Sequence, residues 1–284
     1  MSTPKANFVL QTRQTLPKSG KDVIIVSLNR PDRLNCFNTA VCDELSKIIS
    51  EIKADDDTLA AVIFTGEGTS FCAGADLSDP PNAVLQSSDI LPSSVQNPVD
   101  YLTNLPLPVI AALKGHVITG GMELALACDI LVGDETVCFR DTHVKFHLAP
   151  CWGLSQRLSR RIGSGRAKWV SLGAIPIPAP KAYEWGLLDE LVLANDYVNE
   201  PQQGNNPSLN RALEIADSIG MNSSTMVLRY KRAIDEGWKT TLEQGLQRER
   251  SLALAHYIEA VRDGSTFESA KSFITTSRHP NPRL

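Results

Sequence analysis

The chain lacks a long apolar run, an excess of basic charge and any regular cysteine spacing, and each lack removes a class of protein. No segment approaches the ~18 consecutive apolar residues that a membrane-spanning helix needs. The formal net charge of −4 gives no electrostatic reason to expect nucleic acid or an anionic membrane as partner. Six cysteines, Cys36, Cys42, Cys72, Cys128, Cys138 and Cys151, fall at irregular intervals without a C-x-x-C pair. Their reading is buried thiols in a reducing compartment. The histidines do not gather with them, although His143 and His147 stand four apart, so no metal site is expected. Neither G-x-G-x-x-G nor G-x-x-x-x-G-K-[ST] occurs, which disfavours a nucleotide phosphate loop. The opening MSTPKANFVLQ has neither an apolar signal core nor an Arg-rich amphipathic pattern, so a protein that begins in the cytosol, and stays or is imported folded, is expected.

What is present is an ordinary globular composition, 42% apolar and 21% charged over 284 residues, enough for one large core with an appended helical region. VIIVSL (23–28) is a β-branched run ended by Asn29-Arg30-Pro31 and reads as a strand, with Phe8 to Thr12 pairing across Pro17-Lys18-Ser19-Gly20. Asn38 caps a helix with apolar positions Val41, Leu45, Ile48, Ile49 and Ile52, and Asp43 and Glu44 are placed in its first turn. LAAVIFT (59–65), VIAAL (109–113) and Ile130 to Val132 read as further buried strands. Ser78 to Asp100, rich in Ser, Pro and Asn, reads as a loop within the core. Helices are expected from Ser208 to Gly220, from Ser223 or Ser224 to about Gly237, and from a Thr241/Gln244 capping box to Arg262, with a second capping box at Ser265/Glu268. The expected division is a core over 1–200 and a helical region over 201–284.

Chemistry concentrates after two of the strands. The turns GEGTSFCAGADL (66–77) and KGHVITGG (114–121) deliver small residues where backbone N–H groups can face a cleft. Two N–H groups converging on one oxygen make an oxyanion hole. Glu123 follows the glycine pair at a helix start, where it can act as a base or simply answer the helix dipole.

The order LNRPDRLNCFN (28–38), VIFTGEGTSFCAGADL (62–77), VIAALKGHVITGGMELALACDI (109–130) and GLSQRLSRRIGSGRAKWVSL (153–172) resembles the enoyl-CoA hydratase/isomerase, or crotonase, superfamily. FRDTHVKFHLAPCWGLSQRLSRRIG (139–163) resembles its plant-type peroxisomal hydratases and similar bacterial proteins. The resemblance implies an α/β fold, a crotonase-like spiral of repeated ββα units with a C-terminal helical trimerisation region, and a homotrimer or hexamer. It implies an acyl-CoA thioester substrate with no separate cofactor, coenzyme A being part of the substrate. Its carbonyl would lie between the N–H groups of Ala75 and Gly120, with Glu123 as acid/base. Substrate contacts are implied at Arg33, Leu34, Ala73, Gly74, Asp76, Leu77 and Gly121, the acyl chain near Ser78 to Asp100, and a neighbouring subunit's Phe273 and Arg278 near the CoA.

Two-glutamate members of the family carry their second acid where this chain has His143. Three readings stand: His143 replaces the acid, Asp141 takes part, or Glu123 handles both protons through one water. A polar turn in the cleft wall is the plain alternative. Hydration of a 2-enoyl-CoA in fatty-acid β-oxidation or related catabolism is the leading expectation. Double-bond isomerisation and a catalytically silent acyl-CoA-binding protein are the others. The ending Pro282-Arg283-Leu284 is a variant of an S-K-L peroxisomal signal, so peroxisomal localisation is expected, and cytoplasmic otherwise.

Overall fold

A computed structural model describes residues 7–53, 57–79, 97–193 and 206–263. Strands β1 (Val9–Thr15) and β2 (Asp22–Leu28) form an antiparallel hairpin with Val9 opposite Leu28. The turn closes through Leu16 N–H to the Lys21 carbonyl at 2.7 Å, and Gly20 supplies a φ of +68°. β1 is an edge strand with only Val9 buried, whereas β2 is buried from Val23 onward because it pairs on its other side, in parallel, with β3 (Leu59–Gly66). Between them helix α1 (Thr39–Glu51) starts at Asn38, whose side chain accepts the Val41 N–H. Asp43 and Glu44 fall beyond its first turn, contrary to the sequence expectation, because the helix begins at Thr39; Glu44 instead accepts the Phe8 N–H at 2.9 Å.

The chain then alternates between two sheets. After α2 (Pro98–Asn104), β4 (Val109–Leu113) joins the large sheet and β5 (His116–Ile118) the small one, and α3 (Gly120–Leu126) follows. β6 (Ile130–Asp134) and β7 (Cys138–Arg140) repeat the step, followed by α4 (Leu154–Ile162) and α5 (Ser164–Gly173). β8 (Ile177–Pro178), α6 (Ala179–Glu184) and β9 (Glu190–Val192) complete the sheets. The large sheet runs β1-β2-β3-β4-β6-β9 and the small one β5-β7-β8. Two successive steps, β4-β5-α3 and β6-β7-α4, thus give one strand to each sheet before a helix, the ββα repeat of the spiral implied by the family resemblance.

Helix α7 (Pro207–Gly220) is capped by Asn206 and lies over the large sheet, its Ala212 and Ala216 in one cluster with Ala61, Ile63, Ile110, Ala112 and Val132. Asp217 on this helix accepts the Lys18 and Ser19 N–H groups at 3.0 and 2.8 Å. The two compact units of the chain are Met1–Ser224 and Thr225–Leu284. The compact division thus falls after Ser224 and not at the 200/201 expected from the sequence, because α7 buries its apolar face on the sheet. In the second unit, α8 (Ser224–Trp238) and α9 (Leu242–Asp263) are antiparallel neighbours in sequence, tied by Arg248 to Glu236 at 2.7 Å and by Arg229 to Glu259. The Thr241/Gln244 capping box forms reciprocally, each backbone N–H meeting the other's side chain at 3.3 Å. Ser265 and Glu268 lie outside the described residues.

Candidate active site

The site is assembled by register. The segment after β3 runs beside β5 through a parallel bridge between Cys72 and Val117, with Cys72 N–H on the His116 carbonyl and Ile118 N–H on the Cys72 carbonyl, both at 3.0 Å. β5 in turn pairs in parallel with β7, Val117 opposite Phe139. Three residues beyond these aligned positions the chain reaches Ala75, Gly120 and Thr142. The three turns that follow the strands are brought together because equal numbers of residues separate each from a shared register.

Ala75 is bridged to Phe37 in a parallel sense, and its neighbours carry the bonds: Phe37 N–H goes to the Gly74 carbonyl and Asp76 N–H to the Phe37 carbonyl, both 2.9 Å. Strand alternation then turns the N–H of Ala75 away from Phe37. Gly120 opens α3, where an amide N–H has no intrahelical acceptor. Gly74, at φ +97°, brings the turns into contact: a Cβ there would lie 2.9 Å from the Ile118 carbonyl oxygen and 3.6 Å from the Gly120 nitrogen. Gly120 itself faces the Phe37 ring, 2.3 Å from where its Cβ would be, and Gly121 faces the Cys72 carbonyl oxygen at the same distance. These glycines are dictated by close approach, and Gly121 serves the packing of α3 on the Cys72 turn.

Glu123 lies in the first turn of α3 and is 2% exposed. Its Oε1 accepts two backbone N–H groups, Trp152 at 2.9 Å and Leu154 at 3.1 Å. Gly153 between them adopts φ +103°, which lets both amides converge on one oxygen. Trp152 is fixed by stacking on Phe37, ring centroids 4.9 Å apart. The other carboxylate oxygen, Oε2, faces His143 Nε2 at 4.0 Å. Burial pushes the Glu123 carboxyl above its ordinary range; the Leu154 N–H, His143 and the Trp152 N–H pull against that shift, and Asp141 reinforces it.

His143 is buried, and its Nδ1 lies 2.8 Å from Asp141 Oδ1, which also accepts the His143 backbone N–H at 3.1 Å. An ionised carboxylate only accepts hydrogen bonds, so Asp141 holds the proton of a neutral ring on Nδ1 and leaves the Nε2 lone pair toward Glu123. Burial raises the Asp141 carboxyl, but hydrogen bonds from the His143 ring and N–H and from Ser171 outweigh it and hold the group below its ordinary value. At 4.0 Å, Oε2 and Nε2 are too far apart for a direct bond, and one water at about 2.8 Å from each would span them with an angle of about 90°.

The remaining sequence-predicted residues lie in the segments on either side of the Ala75 turn. Arg33 and Leu34 are exposed, and the Leu34 carbonyl accepts the Ala73 N–H at 3.0 Å. Leu77 is exposed beyond the Ala75 turn. Asp76 is buried and paired with Arg30 at 3.0 Å. The Ser78 hydroxyl, then Arg30 and the Ser78 N–H, draw its carboxyl down to about 2 against the effect of burial. Arg30 also reaches the Cys36 carbonyl at 2.6 Å, so this pair ties the two chain segments at the wall. Most of Ser78 to Asp100, and Phe273 and Arg278, lie outside the described residues. Sequence reasoning missed the Trp152 and Leu154 amides and the Phe37 buttress; the glycine of Trp152-Gly153-Leu154 was the available signal.

Comparison with known proteins converges on one family. The model of the enoyl-CoA hydratase/isomerase family matches residues 18–274. The probable peroxisomal enoyl-CoA hydratase 1 of Arabidopsis thaliana is 36% identical over 269 residues, covering 94% of this chain and 95% of that protein. The short-chain-enoyl-CoA hydratase of Clostridium acetobutylicum is 36% identical over 235 residues, 81% of this chain and 84% of its own. The crystal structure of the enoyl-CoA hydratase from Bacillus anthracis superposes with a TM-score of 0.74 at 30% identity, covering 94% and 96% of the two chains. With the ββα spiral, the converging turns and a match along nearly its whole length, the chain belongs to the enoyl-CoA hydratase/isomerase family and is an enzyme of the crotonase fold.

Proposed function

We propose that this enzyme adds water across the 2,3 double bond of a 2-enoyl-CoA, with Glu123 as acid and base and the N–H groups of Ala75 and Gly120 holding the thioester oxygen. The observation that carries the reading is the asymmetry of Glu123: one oxygen is fixed by two backbone amides, and the other is free to face a water shared with His143. In the reaction, the two amides polarise the carbonyl and stabilise the enolate-like charge that develops on it. Glu123 Oε2 accepts a proton from water as the oxygen bonds to the β carbon, and the proton is returned to the α carbon. His143, its tautomer set by Asp141, orients the water through Nε2. A carboxyl raised by burial is a stronger base than one in water, which suits the first step.

The exposed apolar side chains of Leu34 and Leu77, with Arg33 beside them, supply the edge along which the pantetheine and nucleotide of CoA would lie. The second unit carries exposed Tyr230, Ile234 and Trp238 on α8, an apolar surface that supports self-association into a trimer. The Arabidopsis relative's name supports a peroxisomal location. The test is loss of crotonyl-CoA absorbance on hydration, with 3-enoyl-CoA as the competing substrate. Turnover of crotonyl-CoA is expected. Conversion of 3-enoyl-CoA alone would move the enzyme to the isomerases, and turnover of neither would refute the reading.

A further inference from the structure

Thr119 holds a backbone conformation that its side chain opposes. Its φ is 51° and its ψ −109°, the geometry of the second residue of a type II′ turn, a position dominated by glycine. Leu34, His147 and Ala174 also have positive φ, but with ψ between 33° and 46° they lie in the ordinary left-handed well. A β-branched residue outside that well is a strained outlier and persists only where its surroundings hold it. Thr119 does not act as a side-chain cap for α3. Its hydroxyl instead lies 2.5 Å from the Thr142 hydroxyl and accepts the Thr142 backbone N–H at 3.1 Å.

The strained residue controls a particular peptide. The Thr119 carbonyl accepts the Glu123 N–H at 3.0 Å, and the other end of that same peptide unit is the N–H of Gly120. In a trans peptide the two point in opposite directions, so the ψ of Thr119 sets where the Gly120 N–H is aimed. The Thr119 N–H is itself tied to the Arg140 carbonyl at 2.9 Å. Relaxation of Thr119 to negative φ would rotate the peptide and turn the Gly120 N–H off its line.

We propose that Thr142 is a positioning residue, a clamp that keeps Thr119 in its glycine-like conformation and thereby aims the Gly120 N–H at the substrate carbonyl. Thr142 lies between Asp141 and His143, so one hydroxyl pair also fixes the oxyanion turn against the turn bearing the histidine. The inference rests on the reading of Gly120 as a donor to the thioester. The test is a double-mutant cycle on the full chain with Thr142→Val, Thr119→Gly and their combination. Thr142→Val keeps the shape and removes the hydroxyl; kcat is expected to fall about tenfold to a hundredfold with KM little changed, short of the loss of a whole oxyanion donor. Glycine bears the conformation without support, so in the Thr119→Gly background the effect of Thr142→Val is expected to shrink to less than about threefold. An equal loss in both backgrounds would overturn the proposal, because Thr142 would then act only on the His143 turn. An unchanged kcat in Thr142→Val would overturn it as well. Thermal denaturation separates this from the activity itself: Thr142→Val is expected to lower Tm less in the Thr119→Gly background than in wild type. That pattern in a protein without hydratase turnover would sink the reaction assignment and leave the clamp standing, while equal Tm losses in both backgrounds would refute the clamp.

Discussion

Replacing Glu123 by glutamine removes one oxygen's charge and almost nothing else. The side-chain oxygen that accepts the Trp152 and Leu154 N–H groups at 2.9 and 3.1 Å can remain an amide carbonyl, and the new NH2 then stands where Oε2 faced His143 at 4.0 Å. The backbone frame therefore has no reason to move. Loss of a positioned general base costs typically 10²–10⁴ in rate, so kcat for crotonyl-CoA hydration is expected to fall by about that factor, roughly 3–5 kcal/mol of barrier. Stability should move the other way. Glu123 is held above its ordinary range by burial, so ionising it costs the folded state more than the unfolded one, and this cost grows as pH rises from the unfolded carboxyl range and is complete above the folded value. The glutamine variant should melt at or above the wild-type temperature at neutral pH, and the difference should close on acidification below the unfolded carboxyl range. The acid limb of the wild-type kcat/KM profile should lie above that of an ordinary carboxyl. Stopped-flow or steady-state absorbance of crotonyl-CoA, paired with melting curves across pH, measures all of this. Retention of more than a tenth of wild-type kcat by Glu123→Gln, with the fold intact, would refute the assignment of the base.

Three further outcomes follow from other parts of the molecule. His143→Ala should lower kcat by about 10- to 100-fold and Asp141→Asn by less, since the latter keeps the ring but frees its tautomer; indifference of the rate to both would remove His143 from the water. Gly121→Ala places a methyl carbon 2.3 Å from the Cys72 carbonyl oxygen, a main-chain contact that cannot yield locally. A cost of about 3 kcal/mol and a Tm lower by roughly 6–12 °C are expected by calorimetry, whereas Gly165→Ala, which meets open space, should leave Tm within about 2 °C. Asp217→Ala orphans the Lys18 and Ser19 N–H groups and should cost about 2–3 kcal/mol in denaturant titrations without changing kcat. Burial raises the Asp217 carboxyl, but its hydrogen bonds from Ser19 and Lys18 hold it below its usual value, so the stability it lends is complete above the unfolded carboxyl range and fades as pH falls through the folded one.

Sequence reading reached the long buried strands and the capped helices because each carries a local signal: the apolar runs at 23–28, 59–65 and 109–113, Asn38 before α1, and the Thr241/Gln244 pair before α9. It did not reach β5, β7, β8 or β9, which span two or three residues and are too short to show a period. Of these, β5 and β7 align Cys72, Val117 and Phe139, so the convergence of Ala75 and Gly120 was accessible from the family resemblance and not from the residues alone, and that of Thr142 from neither. Glu123 stood out as a carboxylate behind two glycines. Its two backbone donors did not, since an amide N–H leaves no mark in the sequence except the glycine that frees it. Thr119 shows the limit most plainly: a threonine gives no hint of a glycine conformation that only its partner 23 residues away makes tenable.

The wall of the cleft and its base answer acid at different points. The Arg30–Asp76 tie holds until its carboxyl is protonated near 2, while the carboxyl of Glu123 takes up its proton above the ordinary range. With Glu123 in its proposed role, turnover is expected to cease in the interval of pH between those two points while the Arg30–Asp76 tie is kept. Brief exposure to acid within that interval is then expected to be reversible, with turnover returning at neutral pH.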